Sequence, residues 1–239
     1  MIKTGFSQPI GSKSITNTVI DRITDGIISG ELQPGSKIPT ELELCEMWHV
    51  GRNSVREAVK ALVHIGILEI RRSDGTYVTS EFSDKMLHPL LYSLMLENHF
   101  SESLIELRRI FEVGVFQLAI QKASTDDIEK ITKANNVLTA LLEKDPLDAN
   151  AILDADIKFH GAVENATHNP LINRINSVIT QLTIPSREKT VNSLLTEGNR
   201  QFMIDVHQSM LQVIRDHDES KIMGTIAQHY SVWEKYFKK

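Results

Sequence analysis

The fold is decided by residues 40–78, which read TELELCEMWHVGRNSVREAVKALVHIGILEIRRSDGTYV. Thr40 and Glu43 have the spacing of a capping box, in which a hydroxyl and a carboxylate each bond a free backbone N–H at the start of a helix. A second helix is predicted from Arg52 to Ile65, because a break at 49–51 precedes it and Gly66 follows it. Two short strands then flank a turn at 73–75, a pattern typical of a hairpin.

A further helix is predicted upstream, over residues 14–29. Its apolar residues recur at helical spacing, and the pattern ends at Gly30 and again at Pro34–Gly35. Three helices followed by a hairpin make a winged helix-turn-helix, which presents its last helix to the major groove of DNA. The polar side of this helix carries Arg52, Asn53, Arg56 and Lys60, which can reach phosphates or base edges. Taken alone, two such arginines would rather indicate a solvated helix face.

Length, charge and composition limit the class of protein. The 239 residues carry a net charge of −5, but nine basic and nine acidic residues precede residue 81, so the excess of acid lies in the rest of the chain. No apolar run reaches the roughly 20 residues of a membrane span, and the start lacks a secretory signal, so we expect a cytoplasmic protein with no membrane contact. The single cysteine, Cys45, excludes an internal disulfide framework and is expected to be a buried structural thiol.

The remainder of the chain is predicted to be all helical, because only long apolar stripes with helix punctuation follow Asp84. The predicted domains are therefore a winged helix-turn-helix over residues 1–80 and an all-α bundle over residues 81–239, which makes a mainly α protein. Pro185 is expected to kink or end the helix that enters it. One further helix is predicted to begin at Ser124. The others are predicted over residues 86–95, 104–118, 150–166, 170–181, 199–215 and 220–236.

Polar residues in this helical part indicate a metal site. Asp156 and His160 stand at i and i+4, so they project from one face of one helix. His207 and His229 lie among apolar residues of the last two helices and should face the core. Three imidazoles and one carboxylate inside a bundle suit a divalent transition metal. A single histidine in such surroundings is more often a hydrogen-bonded core residue, and spacing alone does not separate these from His168 and His217.

Four short motifs follow one another in the N-terminal part, namely IISGELQPG at 27–35, IPTE at 38–41, VREA at 55–58 and GTYV at 75–78. In these motifs the N-terminal part resembles the GntR superfamily. This resemblance implies that an operator is contacted by the start of the helix that Thr40 caps, by the first half of the recognition helix, which begins at Arg52, and by the tip of the hairpin. Two departures occur, because Leu42 stands where the family usually has an arginine, and Gly51 where a serine commonly caps the recognition helix. The matching positions are Thr40, Arg52, Ser54, Arg56 and Gly75.

The C-terminal part contains ELRRIFE at 106–112, DIKFH at 156–160, Asn169–Pro170, His207 and His229. In these residues it is similar to the helical effector domain, termed FCD, of the FadR-type branch. This resemblance implies a divalent metal held by Asp156, His160, His207 and His229, and a small carboxylate effector rather than a fatty acyl-coenzyme A. Imidazole-rich ligation favours zinc, with nickel or manganese as alternatives.

The same resemblance places Arg108 near the metal, where its planar fork can take a carboxylate, and adds Asn169 as an effector residue. Two simpler interpretations stay open. Arg108 can form a salt bridge with Glu112 one turn later. Asn169 can cap the helix that begins at Pro170.

The working hypothesis is a ligand-responsive transcriptional regulator, not an enzyme. It would act as a homodimer on a palindromic operator in double-stranded DNA, and it would be a repressor that a sugar acid, a hydroxy acid or a similar carboxylate releases. One alternative is a metal-dependent hydrolase or lyase, for which Glu164 is a candidate base, although a solvated charge explains that residue better. Another alternative is a metal sensor, in which the ion itself is the signal.

Overall fold

The computed structural model of the chain describes residues 14–81 and 100–237, together with Met86, Ser93 and Leu96. The chain divides into two compact units, Met1–Ser93 and Leu94–Lys239. The helix predicted at 86–95 and most of the segment around the predicted domain boundary lie outside the described residues, so the boundary stays a prediction. Among the described helices, none is long and apolar enough to cross a membrane.

The first unit has the predicted order of three helices and a hairpin. Its elements are α1 (Ile15–Ile28), α2 (Glu41–Trp48), α3 (Arg52–His64), β1 (Leu68–Arg71) and β2 (Gly75–Val78). The strands are antiparallel, in a register that runs from Leu68 opposite Val78 to Arg71 opposite Gly75. Thr40 accepts a bond from Glu43 N at 3.3 Å, and Glu43 accepts one from Thr40 N at 2.7 Å, which confirms the capping box.

The core of the first unit is built from one face of each helix and the inner side of the hairpin. Its ten buried members are Val19, Ile23, Ile38, Leu44, Val55, Ala58, Val59, Leu62, Leu68 and Val78. Burying that face of α3 leaves its opposite face, with Arg52, Asn53, Arg56 and Lys60, exposed. Cys45, which was expected to be buried, is half-buried on α2.

The regular elements of the described part of the second unit are all helices. Its helices are α4 (Phe100–Lys122), α5 (Thr125–Glu143), α6 (Ala149–Asn165), α7 (Pro170–Thr196), α8 (Arg200–Arg215) and α9 (Ile222–Phe237), with a 3-10 turn at Glu219–Lys221. One core cluster includes Phe116, Phe159, Met210 and Tyr230, and a second joins Leu138, Ile152 and Val191. The fold class predicted from the sequence, a winged helix-turn-helix with an all-α bundle, is confirmed.

Pro185 was expected to kink or end the helix that enters it, and the structure shows that it does not end it. α7 continues through Pro185 for 11 more residues. Proline costs the helix one backbone hydrogen bond, to the carbonyl of the residue four positions earlier. That residue, Gln181, is exposed to solvent, where water can replace the bond. The continued helix carries Arg187 and Thr190 into the interior of the unit.

Candidate functional site

Four side chains from three helices meet in the interior of the second unit. Asp156 and His160 come from α6, His207 from α8 and His229 from α9. One potential ligand atom from each lies within 4.8 Å of all the others, and all four residues are buried. The three imidazole rings have centroid separations of 5.1 to 5.6 Å. The structure thus brings together the set proposed from the sequence.

The carboxylate of Asp156 has two different neighbours. Its Oδ1 lies 2.9 Å from His207 Nε2 and 3.7 Å from His160 Nε2, so this oxygen belongs to the cluster. Its Oδ2 accepts a 2.7 Å hydrogen bond from Arg187 Nη1. Burial alone would raise the pKa of Asp156, but His160, His207 and Arg187 together hold it well below its ordinary value. A buried, ionised and oriented carboxylate is a suitable ligand for a cation.

The histidines have distinct partners on their outer sides. His207 Nδ1 lies 2.8 Å from the Met203 carbonyl, which leaves Nε2 for the cluster. His160 Nδ1 lies 2.9 Å from Glu112 Oε1, and His160 Nε2 is buried without a hydrogen-bond partner among the described residues. An unsatisfied buried nitrogen is costly. The donor set, one carboxylate and three imidazoles with an unsatisfied nitrogen, therefore fits a divalent transition metal.

Glu112 links the cluster to Arg108. The hydroxyl of Tyr230 donates to Glu112 Oε2, and Arg108 Nε lies 3.9 Å from that oxygen. Burial opposes ionisation of Glu112, yet the charges of His160 and His229, with that of Arg108, keep its pKa well below its ordinary value. The salt bridge considered for Arg108 is therefore present. Arg108 is only 3% exposed, so this salt bridge lies inside the unit and not on its surface.

Two small cavities flank the cluster. One, of about 30 Å³, is lined by Asp156, Arg187, Thr190, His207 and His229 together with apolar side chains. The other, of about 20 Å³, is lined by Arg108, Glu112, His160, Glu164, Asn176 and Arg187 with three apolar residues. Each has room for a water molecule or two. Arg187 borders both.

Asn169 lines neither cavity. Its side chain accepts a 3.1 Å hydrogen bond from Leu171 N and caps α7, as the simpler interpretation had it.

Arg187 was missed by the sequence reasoning. A helix ending at Pro185 would have left that arginine outside any predicted element, so no local pattern pointed to it. Glu164, considered as a base, is bonded by the amide of the buried Asn176, and burial raises its pKa.

The residues proposed for DNA contact lie at the expected points of the first unit. Thr40 caps α2, while Arg52, Ser54 and Arg56 occupy the first turns of α3. Arg56 Nε is 3.4 Å from Glu41 Oε2, in an ion pair exposed to solvent. Gly75 has φ +152°, a conformation that side chains disfavour, and opens β2 at the wing. Leu42 is half exposed on α2.

Comparisons with known proteins match both units. Residues 15–78 match the model of the bacterial regulatory proteins of the gntR family, and residues 103–232 match that of the FCD domain. The HTH-type transcriptional regulator LutR of Bacillus subtilis is 31% identical over 166 residues, which are 69% of this chain and 73% of that protein. The galactonate operon transcriptional repressor of Escherichia coli K12 is 28% identical over 207 residues, 85% of this chain and 88% of that protein.

A solved structure supports the fold. The structure described as Streptococcus agalactiae GntR aligns with a TM-score of 0.61 at 24% identity, and the alignment covers 92% of this chain and 99% of that one. At this level of identity the likeness concerns the fold alone.

Proposed function

Since the chain belongs to the gntR family of bacterial regulatory proteins and carries an FCD domain, we propose that this DNA-binding transcriptional regulator is a repressor released by a small carboxylate at a divalent metal centre. The proposal rests on one observation, the buried cluster of Asp156, His160, His207 and His229 with two buried arginines beside it. As a regulator of operator DNA it would act in the cytoplasm.

Zinc is the proposed ion, because three of the four ligands are imidazoles, with nickel or manganese as alternatives. When bound, the metal supplies a Lewis-acidic centre that attracts a carboxylate. The protein's own residues supply the rest: Arg108 and Arg187 offer planar donors at the edges of the two cavities, and apolar walls exclude water. Each cavity has room for only a water molecule or two in this state, so binding of a carboxylic acid has to enlarge one of them. One relative is named as the repressor of a galactonate operon, and galactonate is a sugar acid.

We propose a homodimer on a palindromic operator. A single small DNA-binding module rarely reaches specific affinity alone, and a two-fold protein matches a two-fold site. Exposed apolar side chains in the described part of the second unit support this proposal, because a second copy would cover them. Two packed helices, α4 and α7, expose large apolar side chains, namely Leu107, Ile110, Leu171 and Ile175.

A thermal-shift screen tests the effector class. Zinc-loaded protein would be heated with lactate, malate, galactonate and gluconate, and with the uncharged sugar galactose as a control. A ligand that binds only the native state raises the melting temperature. We expect one or more of the acids to stabilise the protein and galactose to leave it unchanged. If zinc alone released operator DNA and no acid bound, the protein would be a metal sensor instead.

A further inference from the structure

Glu112 is a carboxylate that lies beside two of the clustered histidines without belonging to the cluster. Its Oε1 is 2.9 Å from His160 Nδ1 and 3.6 Å from His229 Nδ1. The same carboxylate therefore faces two imidazoles that come from different helices, α6 and α9. Glu112 itself is 7% exposed, on α4.

The position of this carboxylate decides which nitrogens the cluster can use. The two nitrogens of an imidazole point in nearly opposite directions, and a partner on one of them leaves the other as the ligand. With both Nδ1 atoms turned to Glu112, His160 and His229 present Nε2 to the centre. His207 does the same through a neutral partner, because its Nδ1 bonds the Met203 carbonyl. All three imidazoles then offer the same nitrogen.

Glu112 is itself held in place from two sides. The hydroxyl of Tyr230, the residue next to His229 on α9, donates to Oε2, and Arg108 Nε lies 3.9 Å from that oxygen. Oε1 lies 2.9 Å from His160 Nδ1 and forms no hydrogen bond with any other group among the described residues. It is therefore in position to accept from the Nδ1–H groups of His160 and His229.

From this geometry, and resting on the metal centre proposed above, we propose that Glu112 is the positioning residue of that centre. It sets the orientation and tautomer of His160 and His229 so that both bind the metal through Nε2. A carboxylate in this role also raises the donor strength of the imidazole, and loss of such a partner typically weakens metal affinity about 10–100-fold.

The test compares Glu112→Ala and Glu112→Gln with Glu106→Gln, the same chemical change at an exposed position of the same helix. The zinc dissociation constant would be measured by competition with a chromogenic chelator. We expect Glu112→Ala to weaken zinc binding about 10–100-fold, Glu112→Gln to weaken it less because the amide oxygen still accepts, and Glu106→Gln to have no effect.

Two further readouts separate positioning from a general structural role. Thermal melts of the metal-free proteins show whether each variant folds as the wild type does. In the cobalt-substituted proteins, the visible ligand-field bands should shift in the Glu112 variants and stay unchanged in Glu106→Gln. Should Glu112→Ala fail to fold, Tyr230→Phe, which removes one anchor of the carboxylate, should shift the same bands in a folded protein.

The outcomes are distinct. A folded Glu112→Ala or Glu112→Gln protein with wild-type zinc affinity and unshifted cobalt bands would overturn the role of Glu112 while leaving the metal centre standing. A wild-type protein that takes up no zinc, nickel, manganese or cobalt would overturn the metal centre itself.

Discussion

At the scale of single residues, His207 has both ring nitrogens engaged, one at 2.8 Å from the Met203 carbonyl and one at 2.9 Å from Asp156. Replacing it removes one of the four proposed metal ligands. We expect purified wild-type protein to hold about one divalent metal per subunit, since four ligands form one site, and His207→Ala to hold much less. Elemental analysis measures the content directly.

The matched control is His217→Asn. His217 bonds the Ile120 carbonyl, away from the cluster, and has φ +53°, which asparagine tolerates. This variant should keep its metal. Full metal content in both His160→Ala and His207→Ala would show that the ligands lie elsewhere. Chelation of wild-type protein should also lower its melting temperature, because a metal bound only to the native state stabilises it.

Arg56 gives a second prediction at this scale. Its ion pair with Glu41, at 3.4 Å, is exposed, so Arg56→Ala should barely change the stability of the fold. If Arg56 contacts operator DNA, the variant should lose about 1–3 kcal/mol of binding free energy. A gel-shift titration at fixed salt measures this loss.

Arg200→Ala is the control for Arg56, because Arg200 forms a similar exposed ion pair, 3.2 Å from Asp145, in the other unit. It should leave operator affinity intact. A folded Arg56→Ala protein with wild-type affinity would remove Arg56 from the contact surface. Affinity of the wild type should fall steeply with salt, since phosphate contacts release counterions.

The candidate site was only partly predictable from these residues. Asp156 and His160 are one helical turn apart, so their common face follows from local geometry. His207 and His229 were assigned through the family resemblance, because spacing alone left His168 and His217 equally usable. Arg187 reaches Asp156 from another helix, across 31 positions of sequence. A contact of this kind depends on helix packing, which no local pattern encodes.

At the scale of elements, the start of α5 shows how caps tie stability to pH. Ser124 and Asp127 form a capping box, and His168 lies 2.8 Å from Asp127 Oδ2. Hydrogen bonds from Ser124, aided by His168, lower the pKa of Asp127. A carboxyl group with a lowered pKa stabilises the fold above its ordinary pKa, and that contribution is lost as the pH falls through the lowered value.

We therefore expect Asp127→Asn to destabilise the protein by about 1 kcal/mol at pH 7, and the difference from wild type to shrink in acid, well below pH ~4. Urea unfolding at both pH values measures it. Asp126→Asn is the control, since Asp126 lies in the same helical turn but is exposed and pairs only with Lys130 among the described contacts. An effect of Asp127→Asn that is equal at both pH values would contradict the electrostatic explanation.

Element boundaries were predicted best where the sequence has strong punctuation. The capping residues Thr40 and Ser124 and the stops at Gly30 and Gly66 placed their helices within a residue or two. The alternative in which Pro185 ends the helix failed, because the one hydrogen bond that the proline removes involves the exposed residue Gln181. Packing of Val178 and Ile179 before it, and of Val191 and Leu194 after it, holds both halves of α7 in the core.

At the scale of the whole molecule, regulation requires that binding at a site in one unit changes the affinity of a site in the other unit. If a carboxylate binds the operator-bound and free proteins with different affinity, the difference is typically 1–3 kcal/mol, and operator DNA changes the affinity for the carboxylate by the same amount. An effector that binds both forms equally tightly would leave the affinity for the operator unchanged. The coupling must therefore be measured with both partners present.

Arg108 allows this coupling to be tested apart from binding at either site. It is buried beside Glu112 and lines a cavity of the centre, but it belongs neither to the four-residue cluster nor to the DNA-binding unit. Arg108→Lys keeps the charge that balances Glu112 and loses the planar fork, and Arg108→Ala loses both. Arg108→Lys should retain metal and operator binding while its response to the carboxylate falls. Arg108→Ala should retain operator binding and lose the response, and it is compared at saturating zinc because Arg108 also anchors Glu112.

The measurement is fluorescence anisotropy of labelled operator bound to zinc-loaded protein, titrated with the acid that gives the largest thermal shift. Wild-type protein should release the operator as the acid is added. Metal-stripped wild type should, like Arg108→Ala, show no release when the acid is added. The acid would then lose the metal, which is one of its two proposed attachment points beside Arg108. Equal release from the wild type, the variants and the metal-stripped protein would show that the carboxylate acts at another place, and the cluster would then be a structural metal site whose removal lowers stability without touching regulation.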